Sequence, residues 1–238
     1  TSSGVLDRPF SVVDGKRGNL HSTGLEGGRP RVTSMAFSPD GSRVAFATKQ
    51  GDILNLQPGS MVSAKMIHSH EGAIRGVAFS RDGTRLVTVG DLGPARVFEA
   101  FTGSLPVALE KHRASVWGLA LHPSGEWVVS HCADSVLRWF EASSGRQMHK
   151  QVEPSSPLTC EYDPTGERLV TGNADGTISL RDGRDGQLIE RRQVSDSAIA
   201  MTEFAPGGDA LLVACTGGAV RLLDAESLEP IWVQPCSP

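Results

Sequence analysis

Aromatic residues make up only 5% of this chain, and a single tyrosine is among them. No apolar run approaches the ~20 residues that a membrane-spanning helix needs, so no membrane partner is expected. The opening Thr1-Ser2-Ser3-Gly4 has no basic segment leading into an apolar one, and no signal peptide is read there. Charge of one sign is lacking too. Lys and Arg number 23 against 27 Asp and Glu, for a formal net charge of -4, and the densest basic cluster is the pair Arg191-Arg192. That gives no reason to expect nucleic acid or an anionic surface as partner. The four cysteines, Cys132, Cys160, Cys215 and Cys236, contain no Cys-x-x-Cys spacing. They read as buried free thiols of a reducing compartment, hence a cytoplasmic protein, rather than as disulfides or zinc ligands. No metal and no cofactor is expected.

What the chain has in quantity is turn formers, 27 Gly and 14 Pro, which suits many short strands rather than long helices. They are not scattered. Phe37-Ser38-Pro39-Asp40-Gly41 returns as Phe79-Ser80-Arg81-Asp82-Gly83 and Leu121-His122-Pro123-Ser124-Gly125, then as Tyr162-Asp163-Pro164-Thr165-Gly166 and Phe204-Ala205-Pro206-Gly207-Gly208, at intervals of 42, 42, 41 and 42 residues. A second landmark keeps the same phase: Val13-Asp14, Leu56-Gln57, Phe98-Glu99, Phe140-Glu141, Arg181-Asp182 and Leu223-Asp224. A period this constant is the mark of a repeat architecture.

One period holds four short strands. In the third complete unit they are Ser115 to Leu121, Glu126 to His131, Val136 to Phe140 and Gln147 to Val152. Connections of 2–5 residues fit an antiparallel meander and leave no room for a crossover helix. Pro presets φ in each turn, Asp tolerates the next position, and Gly takes the left-handed one that closes the hairpin. A lone sheet of this kind leaves residues such as Val77, Phe79, Val116 and Leu119 uncovered; stacking copies radially buries them. The expected fold is therefore all-β: a β-propeller of four-stranded antiparallel blades.

Five blades are whole and one is partial. The spacing from Asp7 to Val13 matches that from Asp134 to Phe140, so the first residues supply only a third strand (roughly Arg8 to Asp14) and a fourth (Asn19 to Leu25). The boundaries fall at 1–28 for the partial blade, then 29–68, 69–111, 112–153, 154–194 and 195–238. The ring stays open, so the chain is expected to be a segment of a longer protein, part of a six- or seven-bladed ring. Another chain or domain would complete the open blade.

The turn units, the paired landmark and parts of a polar network resemble the WD-repeat β-propeller family over almost the whole chain. That resemblance implies a buried tetrad of His, Ser or Thr, Asp and Trp in each blade. The third unit supplies His112, Ser130, Asp134 and Phe140 in place of Trp; the second supplies His70, Thr88, Asp91 and Phe98; the fourth keeps Thr171 and Asp175 without a His. The blades are divergent members of the type. His112, Ser130 and Asp134 also have the residue types of a nucleophilic triad, but the same types recur in the second unit, as a blade-stabilising network would and a catalytic site need not. His68 and His70 stand in the His-x-His spacing that zinc sites exploit, yet no further ligand repeats nearby.

What remains is surface. The resemblance implies that partners dock on the end carrying the loops before the first strand and between the second and third. Matched residue by residue, that end presents His68, Glu71, Arg75, Arg113, Trp117 and His131. Arg75 and Trp117 hold matching positions, and the equivalents elsewhere are Thr33, Leu158 and Ala200. The reading is a non-catalytic scaffold or sensor module that binds a protein or peptide, in a context such as bacterial signalling. The alternative is a propeller hydrolase, lyase or small-ligand binder using the central channel. The residues expected to line that channel, Ala36, Val77, Leu119 and Ala200, are small or apolar and disfavour catalysis.

Overall fold

The structure, a computed structural model, describes residues 11–13, 20–22, 31–56, 65–68, 70–91, 94–100, 102, 107–109, 116–132 and 134–234. An antiparallel pair, β1 (Ser11–Val13) and β2 (Leu20–Ser22), stands where the period places the strands of the partial blade. Five four-stranded antiparallel sheets follow, each a meander in chain order. They are β3 (Val32–Phe37) to β6 (Lys65–His68) with β4 (Val44–Thr48) and β5 (Asp52–Leu56); and β7 (Ile74–Phe79), β8 (Arg85–Gly90), β9 (Ala95–Glu99) and β10 (Val107–Leu109). The third sheet is β11 (Val116–Leu121), β12 (Trp127–Cys132), β13 (Val136–Glu141) and β14 (Gln147–Val152). The fourth is β15 (Pro157–Tyr162), β16 (Arg168–Asn173), β17 (Thr177–Asp182) and β18 (Leu188–Gln193), and the fifth is β19 (Ile199–Phe204), β20 (Ala210–Cys215), β21 (Val220–Asp224) and β22 (Pro230–Gln234).

The hairpin between the first two strands is built by the repeated turn. In the first sheet Asp40 Oδ1 accepts from the Ser38 hydroxyl at 2.6 Å and from the Ser42 N–H at 3.0 Å, while the Gly41 N–H donates to the Ser38 carbonyl at 2.8 Å. Gly41 has φ of 68°, a conformation that a side chain would strain. Ser80, Asp82, Gly83 and Thr84 repeat the arrangement in the second sheet. The Ser38 hydroxyl, followed by the bonds from Ser42, holds the Asp40 carboxyl down at about 2, so the turn stays ionised at any ordinary pH.

The first strands of the five sheets, β3, β7, β11, β15 and β19, touch one another in chain order and so lie innermost. Apolar side chains cement each sheet to the next. Ala45 and Ile53 meet Ile74 and Leu86, Val87 and Val97 meet Val116 and Phe140, Leu137 and Trp139 meet Tyr162 and Leu169, and Val170 and Ile178 meet Ile199 and Leu211. β8, β12 and β16 are consequently buried on both faces from their second residue onward, whereas burial alternates along β20. A strand covered on one side only shows that period-two alternation.

One irregularity recurs. Near the start of every innermost strand the register slips by one residue, between Val32 and Ser34, Ile74 and Gly76, Val116 and Gly118, Pro157 and Thr159, and Ile199 and Met201. The residues left unpaired by this bulge are Thr33, Arg75, Trp117, Leu158 and Ala200.

Candidate partner-binding face

The bulge sets those five positions apart from the rest of their strands. A bulged residue is released from the ladder, and its side chain is re-aimed away from the neighbours it would otherwise pack against. Thr33, Arg75, Trp117 and Ala200 are exposed and Leu158 is half-buried. Arg75 is 56% exposed at its side chain and Trp117 44% exposed overall, unusual for a residue with so much apolar area. They stand at the end of the sheets that carries the loops preceding each first strand and joining the second strand to the third.

Arg75 is held in place. Its Nε and Nη2 donate to the two carboxylate oxygens of Asp91 at 2.5 and 2.8 Å, a bidentate fork. The fork keeps the Asp91 carboxyl below the usual carboxylate range. Glu71 is exposed in the loop that precedes β7. Thr33 reaches the next sheet through a short bond from its hydroxyl to the Ile74 carbonyl, so this bulge also ties two sheets together.

The remaining expectations divide. His131 is not a surface residue: it is 1% exposed, and its ring fills the space above Gly118, where even a Cβ would come within 2.4 Å of Nε2. The bulge is the physical reason, because the step after Trp117 is a glycine and the neighbouring strand's imidazole occupies the vacancy. His68 ends β6, but its side chain, with Arg113 and His112, lies outside the described residues.

Of the expected polar networks, the described residues show one His–Thr contact and a set of arginine pairs. His70 Nε2 and Thr88 Oγ1 are 2.9 Å apart and both buried, so His70 serves the second sheet. Each Asp position pairs with an arginine: Asp91 with Arg75, Asp134 with Arg138 at 2.6 Å, and Asp175 with Arg191 at 2.9 Å. Burial raises the Asp134 carboxyl, but the bonds from Arg138, Cys132 and the Val136 N–H outweigh it and hold the group at about 2. Ser130 is fully buried, and the buried Thr171 hydroxyl has no hydrogen-bond partner. In the fourth sheet the member at the His position is Glu153, nine residues before Tyr162 as His70 is before Phe79. Its carboxylate accepts from Arg181, which stands at the Trp position, at 2.7 Å. A buried ion pair has replaced the imidazole and the indole. Sequence reading found the missing His but not the substitute, because Glu153 and Arg181 become partners only when the loop folds over the sheet.

The channel lining also differs from expectation. Leu119 does line a cleft between the innermost strands, but Val77 is 8% exposed in the core between the first two sheets and Ala200 is a bulge residue at the far end. The sequence reading overlooked a carboxylate there, Glu161, at the repeat position held by Ala36, Ala78, Ala120 and Glu203. The alternation count breaks at the bulge: one extra residue exchanges the two sides of the strand. Cys160, beside it, is free and its thiol is pushed well above the ordinary range by burial, the reverse of an activated nucleophile.

Radially arranged four-stranded antiparallel sheets with a shared turn and a shared bulge define a β-propeller. The family model described as WD domain, G-beta repeat matches residues 62–92, 103–141 and 147–182, and the chain belongs to the WD-repeat family. It is 22% identical over 194 residues to WD repeat-containing protein 90 of Xenopus tropicalis, covering 81% of this chain and 10% of that protein. It is 26% identical over 186 residues to Striatin-4 of Homo sapiens, covering 74% and 25%, and 33% identical over 145 residues to protein transport protein SEC13-2 of Candida glabrata, covering 54% and 47%. The chain thus spans a small part of the length of the first two. Such relatives point to a protein-interaction scaffold; being eukaryotic, they lend no support to a bacterial signalling context.

Proposed function

We propose that this chain is a non-catalytic scaffold module of a larger cytoplasmic protein, binding a protein or peptide partner on the end that carries the bulges. The observation that supports this most is the register slip repeated in all five sheets, which frees Arg75 and Trp117 at matching positions. Arg and Trp are enriched among residues that dominate binding energy, and each truncation at such a position costs about 2 kcal/mol or more of affinity. Both project from a rigid strand, so little ordering entropy is spent on binding. Replacing Arg75 and Trp117 together by Ala is expected to abolish capture of partners by the immobilised chain in a pull-down read by mass spectrometry. The melting temperature is expected to stay nearly unchanged, since neither side chain is buried. Unaltered capture would place the binding face elsewhere.

We further propose that a sheet from another chain or domain covers the far face of the fifth sheet. The alternating burial of β20, against the two-sided burial of β8, β12 and β16, supports this reading. An uncovered apolar face of that kind favours association. Concentration-dependent self-association of the 238-residue chain in light scattering is expected; a monomer unfolding in one fully cooperative transition would count against it.

A further inference from the structure

At the end opposite the bulges, where the hairpin turns lie, a cleft of about 400 Å³ opens between the innermost strands β7, β11, β15 and β19. Its walls mix polar and apolar surface: Ala78, Leu119, Ala120, Tyr162 and Phe204 supply apolar area, and Arg81, Glu161 and Asp163 are the charged residues among them. The small residues create the space: at the repeat position where Glu161 and Glu203 carry carboxylates, the two preceding sheets carry Ala78 and Ala120.

Glu161 is poorly served there. Its Oε1 accepts from the Phe204 N–H at 3.4 Å, a long bond, and its Oε2 is out of reach of water with no hydrogen-bond partner. Burying a carboxylate without partners is costly, and such a group in a folded protein calls for an explanation. Burial pushes this carboxyl up to about 7, against the Phe204 N–H, with the charge of Glu203 adding to the rise.

The groups around it are otherwise committed. On its own strand the Cys160 thiol is neutral, and the Tyr162 hydroxyl donates to the Gly183 carbonyl at 3.0 Å. Asp163 is paired with Arg168 at 3.0 Å, and the Arg81 guanidinium donates to the Pro164 carbonyl. β11 contributes Leu119, Ala120 and Leu121 and β19 contributes Phe204, none of them titratable, while Glu203, exposed outside the lining, acts on Glu161 through its charge alone. Glu161 is therefore the one acidic group of the cleft lining without a charged partner among the described residues.

We propose that this cleft binds a single basic side chain, lysine or arginine, presented by a peptide partner, with its aliphatic stem against Ala78, Leu119 and Ala120 and its cationic head paired with Glu161 once that side chain turns its buried Oε2 toward the cleft. An aliphatic stem ending in a charge matches apolar area ending in a carboxylate. Arg81 among the lining residues selects against a second basic residue directly beside the first. The site lies apart from Arg75 and Trp117, so changing those two residues leaves it intact.

The test is an NMR titration of the 238-residue chain with the N-acetylated, C-amidated tripeptides Gly-Lys-Gly, Gly-Arg-Gly and Gly-norleucine-Gly, and with spermidine. Saturable shifts at Glu161 and Ala120 are expected with the Lys or Arg peptide and not with norleucine. Because the cation needs the ionised carboxylate, binding is expected to be about tenfold tighter at pH 8 than at pH 6, as the ionised fraction rises from about a tenth to about nine tenths. Glu161→Gln is expected to weaken binding by at least about tenfold and to flatten that pH dependence. Ala120→Leu, which keeps the carboxyl and fills the slot, is expected to weaken it as well. Equal binding of norleucine or spermidine, or affinity unchanged in Glu161→Gln, would overturn the proposal.

Discussion

Glu153→Ala is expected to cost about 3–5 kcal/mol of stability, the largest loss from any single change in the polar network. Glu153 is 0% exposed at its side chain and Arg181 6%, and the two are 2.7 Å apart. Arg191 adds a second cation at 3.8 Å, and the Ser179 hydroxyl donates to Glu153 at 3.5 Å. Removing the carboxylate leaves the Arg181 guanidinium buried with its charge uncompensated, and that penalty exceeds what the pair contributed. The measurement is the urea midpoint at constant denaturant slope. Changing both residues, as Glu153→Leu with Arg181→Met, is expected to recover most of the loss, because desolvating two charges offsets much of their attraction. A Glu153→Ala loss under about 1 kcal/mol would show that the pair is solvated in solution.

Trp139→Ala should lose a comparable amount, about 3–5 kcal/mol, by a different mechanism: truncation of a buried aromatic leaves a cavity that rigid neighbours cannot close. Trp139 is 1% exposed, stacks on His149 with ring centroids 4.7 Å apart, and lies over Gly186, where a Cβ would come within 2.5 Å of the indole. Gly186 also has φ of 72°, so position 186 accepts glycine for two reasons at once. The indole starts on β13 of the third sheet and ends against the β17–β18 turn of the fourth, so it belongs to the contact between sheets. In a repeat protein each unit depends on its neighbours, and weakening one contact is expected to uncouple the units on either side. Hydrogen exchange should show the third and fourth sheets opening separately in the variant and together in the unchanged chain. One transition with little loss of stability would contradict this.

Several elements were legible because their causes are local. The hairpin turn needs a hydroxyl or carboxylate acceptor, a residue that tolerates the bridge region and a glycine in the left-handed one, all within five residues. Phe37 to Gly41 announces each of these, and Gly41, Gly83, Gly125, Gly166 and Gly208 all have positive φ. Strand alternation is equally local, which is why the third sheet, Val116–Leu121 to Gln147–Val152, begins and ends within a residue or two of its expected limits. The matching positions of Arg75 and Trp117, both exposed at a bulge, follow from counting back from the turn, a count that the shared period protects.

The rest is decided across distance. The period and turn chemistry by themselves determine a propeller of four-stranded sheets and mark the positions where side chains change from sheet to sheet. Only the tertiary structure decides what those side chains meet. His131 is drawn inward by the vacancy at Gly118, Glu153 finds Arg181 twenty-eight residues along the chain, and Glu161 loses its water to neighbouring strands. A one-residue bulge reverses the faces of every innermost strand without altering its composition, so a sequence count carried past it assigns the wrong side. Local chemistry thus shapes each blade, while register and packing between blades determine where its polar groups end.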